Sequence, residues 1–263
     1  MRLAGGLEYD GSRFLGWQIQ AREPTIQACV EQALSRVADH PVTVIASGRT
    51  DTGVHALEQV IHFDSDAKRD PRSWILGMNS HLPDGVSGLW IQAVDEEFNA
   101  RFSAYSRRYR YVILNRQVRP AIDAGRVTWC RTPLDVQTMN EAAQALKGEH
   151  DFSSFRASNC QARHPVREIR EISVRRQGTF VLLDITANAF LYHMVRNIAG
   201  SLMAVGKGEA EAGWIAEVLE ARDRDAAGVT GAPDGLYFVK ARYPGKFGLP
   251  GAIRPFPFVH SGA

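Results

Sequence analysis

The apolar residues of this chain alternate between helical and strand spacing, and this alternation limits the possible folds more than any other feature. A helix is predicted where Ile26, Val30 and Leu34 recur at every fourth position, with Thr25 as its N-cap. A strand is predicted over 42–46, which is short and β-branched. The sequence has neither a strict β-α-β rhythm nor a G-x-G-x-x-G loop. It therefore predicts an α+β fold with mostly antiparallel sheet.

The same alternation continues to the end of the chain. Further strands are predicted over 59–63, 109–114, 166–174, 179–187 and 236–241, and further helices over 74–80, 136–146, 191–205 and 214–219. A chain of 263 residues can form one large domain or two modest ones. We expect an N-terminal domain over 1–104, a C-terminal domain over 105–243, and a surface tail rich in Pro and Gly over 244–263.

Composition and cysteine use point to an ordinary cytoplasmic protein. The most apolar stretch, 179–195, contains Asp184, Asn188 and His193, so it is too short and too polar to span a bilayer. The first residues include no apolar run of signal-peptide length. The three cysteines form no C-x-x-C pair, and no zinc-binding spacing is present. We expect reduced thiols and no bound metal.

Positive charge is concentrated in two arginine-rich stretches. Residues 101–116 include five arginines and no acid, and residues 156–176 include six arginines and two glutamates. The formal net charge of +2 conceals this clustering. Local basic regions on a nearly neutral protein indicate binding of a polyanion. Arginines at alternate positions are equally typical of the solvated face of a strand.

A carboxylate between two glycines, in the segment GRTDTG at 48–53, is the candidate for chemistry. Glycine allows the backbone to pack closely against a ligand. In an extended loop, the spacing of two places Arg49 and Asp51 on the same side. The guanidinium would then favour the ionised carboxylate, which could act as a nucleophile. Alternatively, Asp51 or Thr50 could merely cap a turn.

Two other motif assignments are disfavoured. The tripeptide at 51–53 resembles that of aspartic proteases, but those enzymes need two such carboxylates and the sequence has one tripeptide. The Gly-Lys-Gly at 206–208 lacks the spacing of a phosphate-binding loop and follows a predicted helix. We expect it to end that helix.

Several further motifs occur in a fixed order around the GRTDTG loop. They are YDGSRFLGWQ at 9–18, SGRTDTGVHA at 47–56, RFSA at 101–104, RYRY at 108–111, DFSSFR at 151–156, FLYHMVRN at 190–197 and APDGL at 232–236. Together they resemble the tRNA pseudouridine synthase A family, over roughly residues 5–243. The resemblance implies a cofactor-free isomerase that converts uridine to pseudouridine in tRNA.

The resemblance also implies roles for individual residues. Asp51 would be the catalytic carboxylate, acting either at C6 of the base or at C1′ of the sugar. Arg49 would pair with Asp51 and fill the space left by the flipped base, and Tyr109 would lie over the uracil ring. Arg196 and Leu236 would contact the substrate. From the residues alone, Tyr109 could be a cross-strand aromatic, Arg196 a helix-surface residue and Leu236 a core residue.

The resemblance implies an architecture and partners as well. It implies two related ferredoxin-like or RRM-like halves, whose sheets join into one extended mixed sheet with helices packed on it and an active-site cleft between the halves. It implies a homodimer acting on the anticodon stem-loop of tRNA, at positions 38, 39 and 40. Arg107, Arg108, Arg110 and Arg156 are the expected phosphate contacts. The alternative is a non-catalytic tRNA-binding protein of the same fold.

Overall fold

A computed structural model describes residues 1–21 and 24–251 of the chain. The chain forms two compact units, one from Met1–Tyr105 with the chain from Phe238 onward, the other from Ser106–Tyr237. Both units combine helices with sheet, so the predicted α+β class is confirmed. Across residues 1–21 and 24–251, no helix has the length and apolarity needed to cross a bilayer. Most of the predicted tail, 252–263, lies outside the described residues.

The first unit is built on an antiparallel sheet with two helices. Its elements are β1 (Arg2–Tyr9), α1 (Ile26–Ala38), β2 (Ile45–Ala46), β3 (His55–Asp64), α2 (Pro71–His81) and β4 (Val86–Ala93). Strand β1 pairs antiparallel with β3 and with β4. The short β2 pairs with the C-terminal half of β3, at Ile61 and His62. The two helices pack against each other, and α2 covers β4. The predicted helix from Ile26, the predicted helix over 74–80 and the predicted strand over 59–63 are thus confirmed.

The second unit has a larger sheet and three helices. Its elements are β5 (Ser106–Asn115), β6 (Thr128–Cys130), α3 (Val136–Ala143), β7 (Gly148–Asp151), β8 (Val166–Gln177), β9 (Phe180–Ala187), α4 (Met194–Gly206) and α5 (Trp214–Ala221). The sheet order is β5-β9-β8-β7 with all three pairs antiparallel, and β6 lies parallel to β5. The helices pack on one another, with α3 on β8 and α4 on β5.

The last strand, β10 (Leu236–Arg242), begins in the second unit and mostly belongs to the first, where it lies beside β3. Residues 243–249, which follow this strand, pack on the first unit. Phe98 is fully buried, and its ring centroid lies 5.2 Å from that of Tyr243 and 5.1 Å from that of Phe247. Ala4, Val60 and Ala100 are the other buried members of this apolar cluster.

The strand predicted over 42–46 shortens to Ile45–Ala46, because side chains of α1 take its backbone donors. The N–H of Val42 donates to Oγ of Ser35 at 2.8 Å, and the N–H of Val44 donates to Oε1 of Glu31 at 3.0 Å. These donors are therefore satisfied without a strand partner.

Two helix termini also differ from their predictions. Thr25 lies at the N-cap of α1 in extended conformation, but its side chain makes no capping hydrogen bond. The helix predicted from 191 begins at Met194, because His193 has a left-handed φ of 60° that an α-helix cannot include. The helix ends at Gly206 and the N–H of Gly208 donates to the Val205 carbonyl, so the helix-end assignment of 206–208 is confirmed.

We expect Phe98→Ala to lower the free energy of unfolding by about 3–5 kcal/mol, since it removes the ring that three aromatic neighbours contact. Urea unfolding followed by circular dichroism measures this change. Leu76→Ala removes an exposed side chain from α2 of the same unit and should stay within about 0.5 kcal/mol of the parent. Equal losses of unfolding free energy in Phe98→Ala and Leu76→Ala would contradict the stabilising role assigned to the Phe98 cluster.

Candidate active site

The loop that carries Asp51 is tied to strand β3 at its start. It leaves β2, where the N–H of Ser47 donates to the Val60 carbonyl at 2.8 Å. The buried Gln59 side chain accepts from the Ser47 hydroxyl and donates through Nε2 to the Gly48 carbonyl at 2.5 Å. These contacts fix the backbone just before the candidate carboxylate.

Thr50 anchors the middle of the loop. It is buried, and its hydroxyl shares a 2.8 Å hydrogen bond with the hydroxyl of Tyr9 on β1. The Thr50 carbonyl accepts from the N–H of Trp17 at 2.9 Å. Burial raises the pKa of Tyr9 to about 12, so the phenol stays neutral across the physiological range and keeps this hydrogen bond.

Two glycines of the segment after β1 allow it to pack directly on the Asp51 loop. A Cβ atom on Gly11 would overlap the Val54 carbonyl group. A Cβ on Gly16 would lie 2.7 Å from the Thr50 carbonyl oxygen and 2.9 Å from the Asp51 carbonyl carbon, and Gly16 has a φ of 85°. The backbone of this segment thus forms one wall of the loop, and only glycine permits the approach.

Asp51 begins a tight turn at the end of this supported backbone. The N–H of Val54 donates to the Asp51 carbonyl at 3.1 Å, and Gly53 takes a left-handed φ of 82°. The Asp51 side chain is half-buried, between the buried Thr50 and the exposed Thr52. The loop therefore holds the carboxylate in place without enclosing it completely.

The expected ion pair between Arg49 and Asp51 is absent from the described residues. Arg49 is exposed, and its guanidinium makes no hydrogen bond or ion pair with any part of the chain that the structure describes. The spacing of two constrains only the side of the backbone that each residue faces, and it does not keep the Arg49 guanidinium out of solvent. A surface ion pair also contributes little, about 0–1 kcal/mol, to hold an arginine in place.

A buried histidine that the sequence analysis left without a role lies behind this loop. The Nδ1 atom of His55 lies 3.1 Å from the N–H of Gly11 and 3.3 Å from a carboxylate oxygen of Asp10. The contact with His55, aided by hydrogen bonds from Ser12, holds the pKa of Asp10 below its ordinary value. His55 therefore helps to hold the segment after β1 on the loop.

In the second unit, Tyr109 lies on β5 opposite Ile185 of β9. Its ring is largely buried and packs edge-on against Phe190, with centroids 4.9 Å apart. Arg196 lies in the first turn of α4, half-buried, and its Nε donates to the Gly231 carbonyl at 2.9 Å. The guanidinium of Arg196 is therefore attached to the loop before β10 and does not simply extend from a helix surface.

Leu236 is the first residue of β10 and is buried. The loop before it is fixed by Tyr111, whose hydroxyl donates to the Ala232 carbonyl at 2.8 Å and accepts from Thr128 at 2.7 Å. Burial raises the pKa of Tyr111, so its hydroxyl keeps the proton that it donates. Arg196 and Tyr111 thus bind two consecutive carbonyls, those of Gly231 and Ala232, at the start of the APDGL motif.

The arginines of β5 have different environments. Arg110 is buried and binds both oxygens of the buried Asp184 through Nε and Nη2, at 2.9 and 2.8 Å. Arg108 and Arg175 reach the same carboxylate at 3.1 and 3.4 Å and keep about a third or more of their side chains exposed. Arg110 therefore has a structural ion pair inside the protein, and this arrangement does not support the predicted phosphate contact by Arg110.

The other two predicted RNA-binding arginines are half-buried and donate to backbone carbonyls. Arg107 donates to Asn188 at 3.0 Å, and Arg156 donates to Cys160 and Ala162 at 2.7 and 2.8 Å. Within residues 1–21 and 24–251, no cluster of three or more His, Cys, Asp or Glu side chains could hold a metal ion.

Comparison with known proteins decides the family. A sequence model of the tRNA pseudouridine synthase family matches residues 7–103 and 142–244. The tRNA pseudouridine synthase A of Nitrosococcus oceani is 58% identical over 97% of this chain and 98% of its own length. Proteins of the same name from Methylococcus capsulatus and Aeromonas hydrophila are 56% and 54% identical, each over 95% of this chain and over 92% and 93% of their own lengths.

The chain belongs to the tRNA pseudouridine synthase family. This is an isomerase family, as the motifs of the sequence predicted. The first matched segment contains the whole Asp51 loop and the glycines that pack behind it. The GRTDTG and YDGSRFLGWQ motifs, far apart in the sequence, are therefore parts of one packed unit.

We expect Gly16→Ala to reduce pseudouridine formation per folded molecule by at least about tenfold, because its methyl group would displace the backbone of Asp51. Gly208→Ala is the matched control, since Gly208 also has a positive φ but has no atom within 4 Å of the added methyl. Initial rates on a tRNA transcript and circular dichroism measure the two effects. Equal activity of the two variants would refute the proposed role of this contact.

Proposed function

We propose that this protein isomerises uridine to pseudouridine in tRNA and that Asp51 is its catalytic carboxylate. The observation that carries the proposal is the family match over nearly the whole chain, which includes the loop around Asp51. The support of that loop by β1, β3 and the glycine-bearing segment agrees with this role, since catalysis requires an acid held in a fixed position.

The reaction needs little beyond a positioned carboxylate. The bond between N1 and C1′ breaks, the uracil rotates, and a bond forms between C5 and C1′; C5 loses a proton and N1 gains one. Atoms and oxidation state are unchanged, so the chemistry calls for no redox cofactor. Asp51 acts either by adding to C6 of the base or by assisting at C1′ as the base departs. Both routes place the same carboxylate beside an extruded nucleotide.

The other candidate residues receive roles in holding that nucleotide. Tyr109 provides a ring that lies over the uracil, and Leu236 provides an apolar wall. Arg49 is exposed within the catalytic loop, two residues before Asp51. Its guanidinium fills the space that the flipped base leaves in the RNA. Arg196, fixed to the loop before β10, contacts the substrate near the same base.

The substrate region and assembly are part of the proposal. The enzyme acts on the anticodon stem-loop, at positions 38, 39 and 40 of tRNA, and works as a homodimer in the cytoplasm. Arg107, Arg108 and Arg156 contact RNA phosphates, supported by their partial exposure and by the excess of arginine around them. Arg110 stabilises the sheet through Asp184.

Asp51→Asn should abolish pseudouridine formation, by about 10³-fold or more, because a neutral amide replaces the charged carboxylate. Binding of unmodified tRNA should fall by no more than a few-fold. Carbodiimide mapping of the product and filter binding measure the two quantities. Asp66→Asn removes an exposed acid from the same unit and should change neither. Full activity of Asp51→Asn would refute the catalytic assignment, and binding without activity in the wild-type protein would favour a non-catalytic tRNA-binding protein.

Arg108→Ala and Arg110→Ala should have different effects. Loss of the partly exposed Arg108 should weaken tRNA binding and reduce the slope of log K against log salt by about one. Loss of Arg110 should lower stability by about 1–3 kcal/mol, because it removes the bidentate partner of a buried carboxylate. Binding measured over a range of salt concentrations reports the effect of Arg108→Ala, and urea unfolding reports the effect of Arg110→Ala. Equal salt slopes for Arg108→Ala and wild type would refute the phosphate contact.

A further inference from the structure

The RFSA motif at 101–104 has no role in the chemistry proposed above, and it carries an unusual surface residue. The side chain of Phe102 is 77% exposed, which makes it the most exposed aromatic residue within residues 1–21 and 24–251. Tyr105, three residues later, is also exposed. Single exposed apolar residues are common on protein surfaces, so exposure by itself decides nothing. The backbone that carries Phe102 provides the second observation.

The backbone around Phe102 is fixed by a ring of hydrogen bonds. The Oδ1 atom of Asn99 accepts from the N–H groups of Arg101 and Phe102, both at 3.0 Å. The N–H of Ser103 donates to the Asn99 carbonyl at 2.9 Å, and its hydroxyl accepts from the Asn99 N–H at 3.0 Å. The loop therefore presents the Phe102 ring from a rigid backbone.

This loop is also attached to the core of the first unit. The N–H of Ala100 donates to Nδ1 of the buried His62 at 3.0 Å, and the hydroxyl of Tyr243 donates to the Ala100 carbonyl at 2.7 Å. Burial lowers the pKa of His62, which keeps the ring neutral and able to accept. Ala100 itself lies in the apolar cluster around Phe98. Phe102 thus extends into solvent from a loop that is anchored to buried residues of the unit.

A cation accompanies the exposed ring. The guanidinium carbon of Arg101 lies 5.3 Å from the centroid of the Phe102 ring, within the range of a cation–π contact. Proteins that bind single-stranded RNA combine exposed aromatic rings, on which bases stack, with positive charge that follows the phosphates. A second copy of this chain would gain from the apolar ring but not from the adjacent positive charge, so the pair fits RNA better.

We propose that Phe102 is a stacking platform for an unpaired nucleobase of the tRNA substrate, with Arg101 beside it as a source of positive charge. The proposal rests on the proposed function and adds a substrate contact to it. A base that stacks on Phe102 stays outside the RNA helix, so the platform recognises a loop or an extruded nucleotide. A rigid ring loses little conformational entropy when the base binds, which makes stacking on it efficient.

Three variants of the full-length protein test the platform. Phe102→Ala removes the ring, Phe102→Leu keeps an apolar side chain of similar volume without a π system, and Phe102→Trp enlarges the stacking surface. Affinity for an unmodified tRNA transcript is measured by filter binding, and oligomeric state by sedimentation. Leu76→Ala, which removes another exposed apolar side chain from the same unit, is the control.

Phe102→Ala and Phe102→Leu should each weaken tRNA binding by on the order of tenfold, while Phe102→Trp binds as tightly as wild type or more tightly. Thermal stability should be unchanged in all three, and Leu76→Ala should bind normally. Normal binding by Phe102→Leu would overturn the proposal, since it would show that apolarity alone suffices. A loss of dimer in Phe102→Ala in parallel with affinity would also overturn it, in favour of self-association. If wild-type protein neither bound nor modified tRNA, the proposed function itself would fail.

Discussion

The close contact between two backbone segments is the constraint on which the candidate active site depends. The segment after β1 and the loop after β2 approach so closely that a single methyl group at Gly11 or Gly16 would overlap the other backbone. Side-chain hydrogen bonds from Tyr9 and Gln59 add to this contact from β1 and β3. The position of Asp51 is therefore set by the backbone and its buried partners, and the exposed Arg49 takes no part in it.

The second unit shows how burial divides arginines that look alike in the sequence. Alternate residues of β5 carry Arg108 and Arg110, yet one is partly exposed and the other is buried against Asp184. A buried guanidinium requires a paired and hydrogen-bonded carboxylate, because desolvation of an unpaired charge is costly. Asp184 is the only acid in the apolar stretch that the sequence analysis judged too polar for a membrane. The ion pair with Arg110 on β5 explains why this charged residue lies in an apolar strand.

Secondary structure followed the periodicity of the sequence except where side chains took backbone donors or where a residue adopted a left-handed conformation. The strand expected over 42–46 is mostly lost because Glu31 and Ser35 of α1 bind its N–H groups. The helix expected from 191 starts later because His193 adopts a left-handed conformation. The apolar pattern shows neither effect, since the first depends on side chains of a neighbouring helix and the second on the backbone conformation of a single residue.

Periodicity and short contiguous motifs were enough to predict the α+β class, most helices and strands, the family, and the loop that contains Asp51. The fold selects the residues that support that loop, since Gly11, Gly16 and His55 act through contacts between separate segments. It also decided which arginines are buried, and that Arg49 does not pair with Asp51. The spacing of two residues along a strand or loop indicates whether their side chains face the same side of the backbone. Whether such a side chain is paired or buried depends on the residues that the fold packs against it.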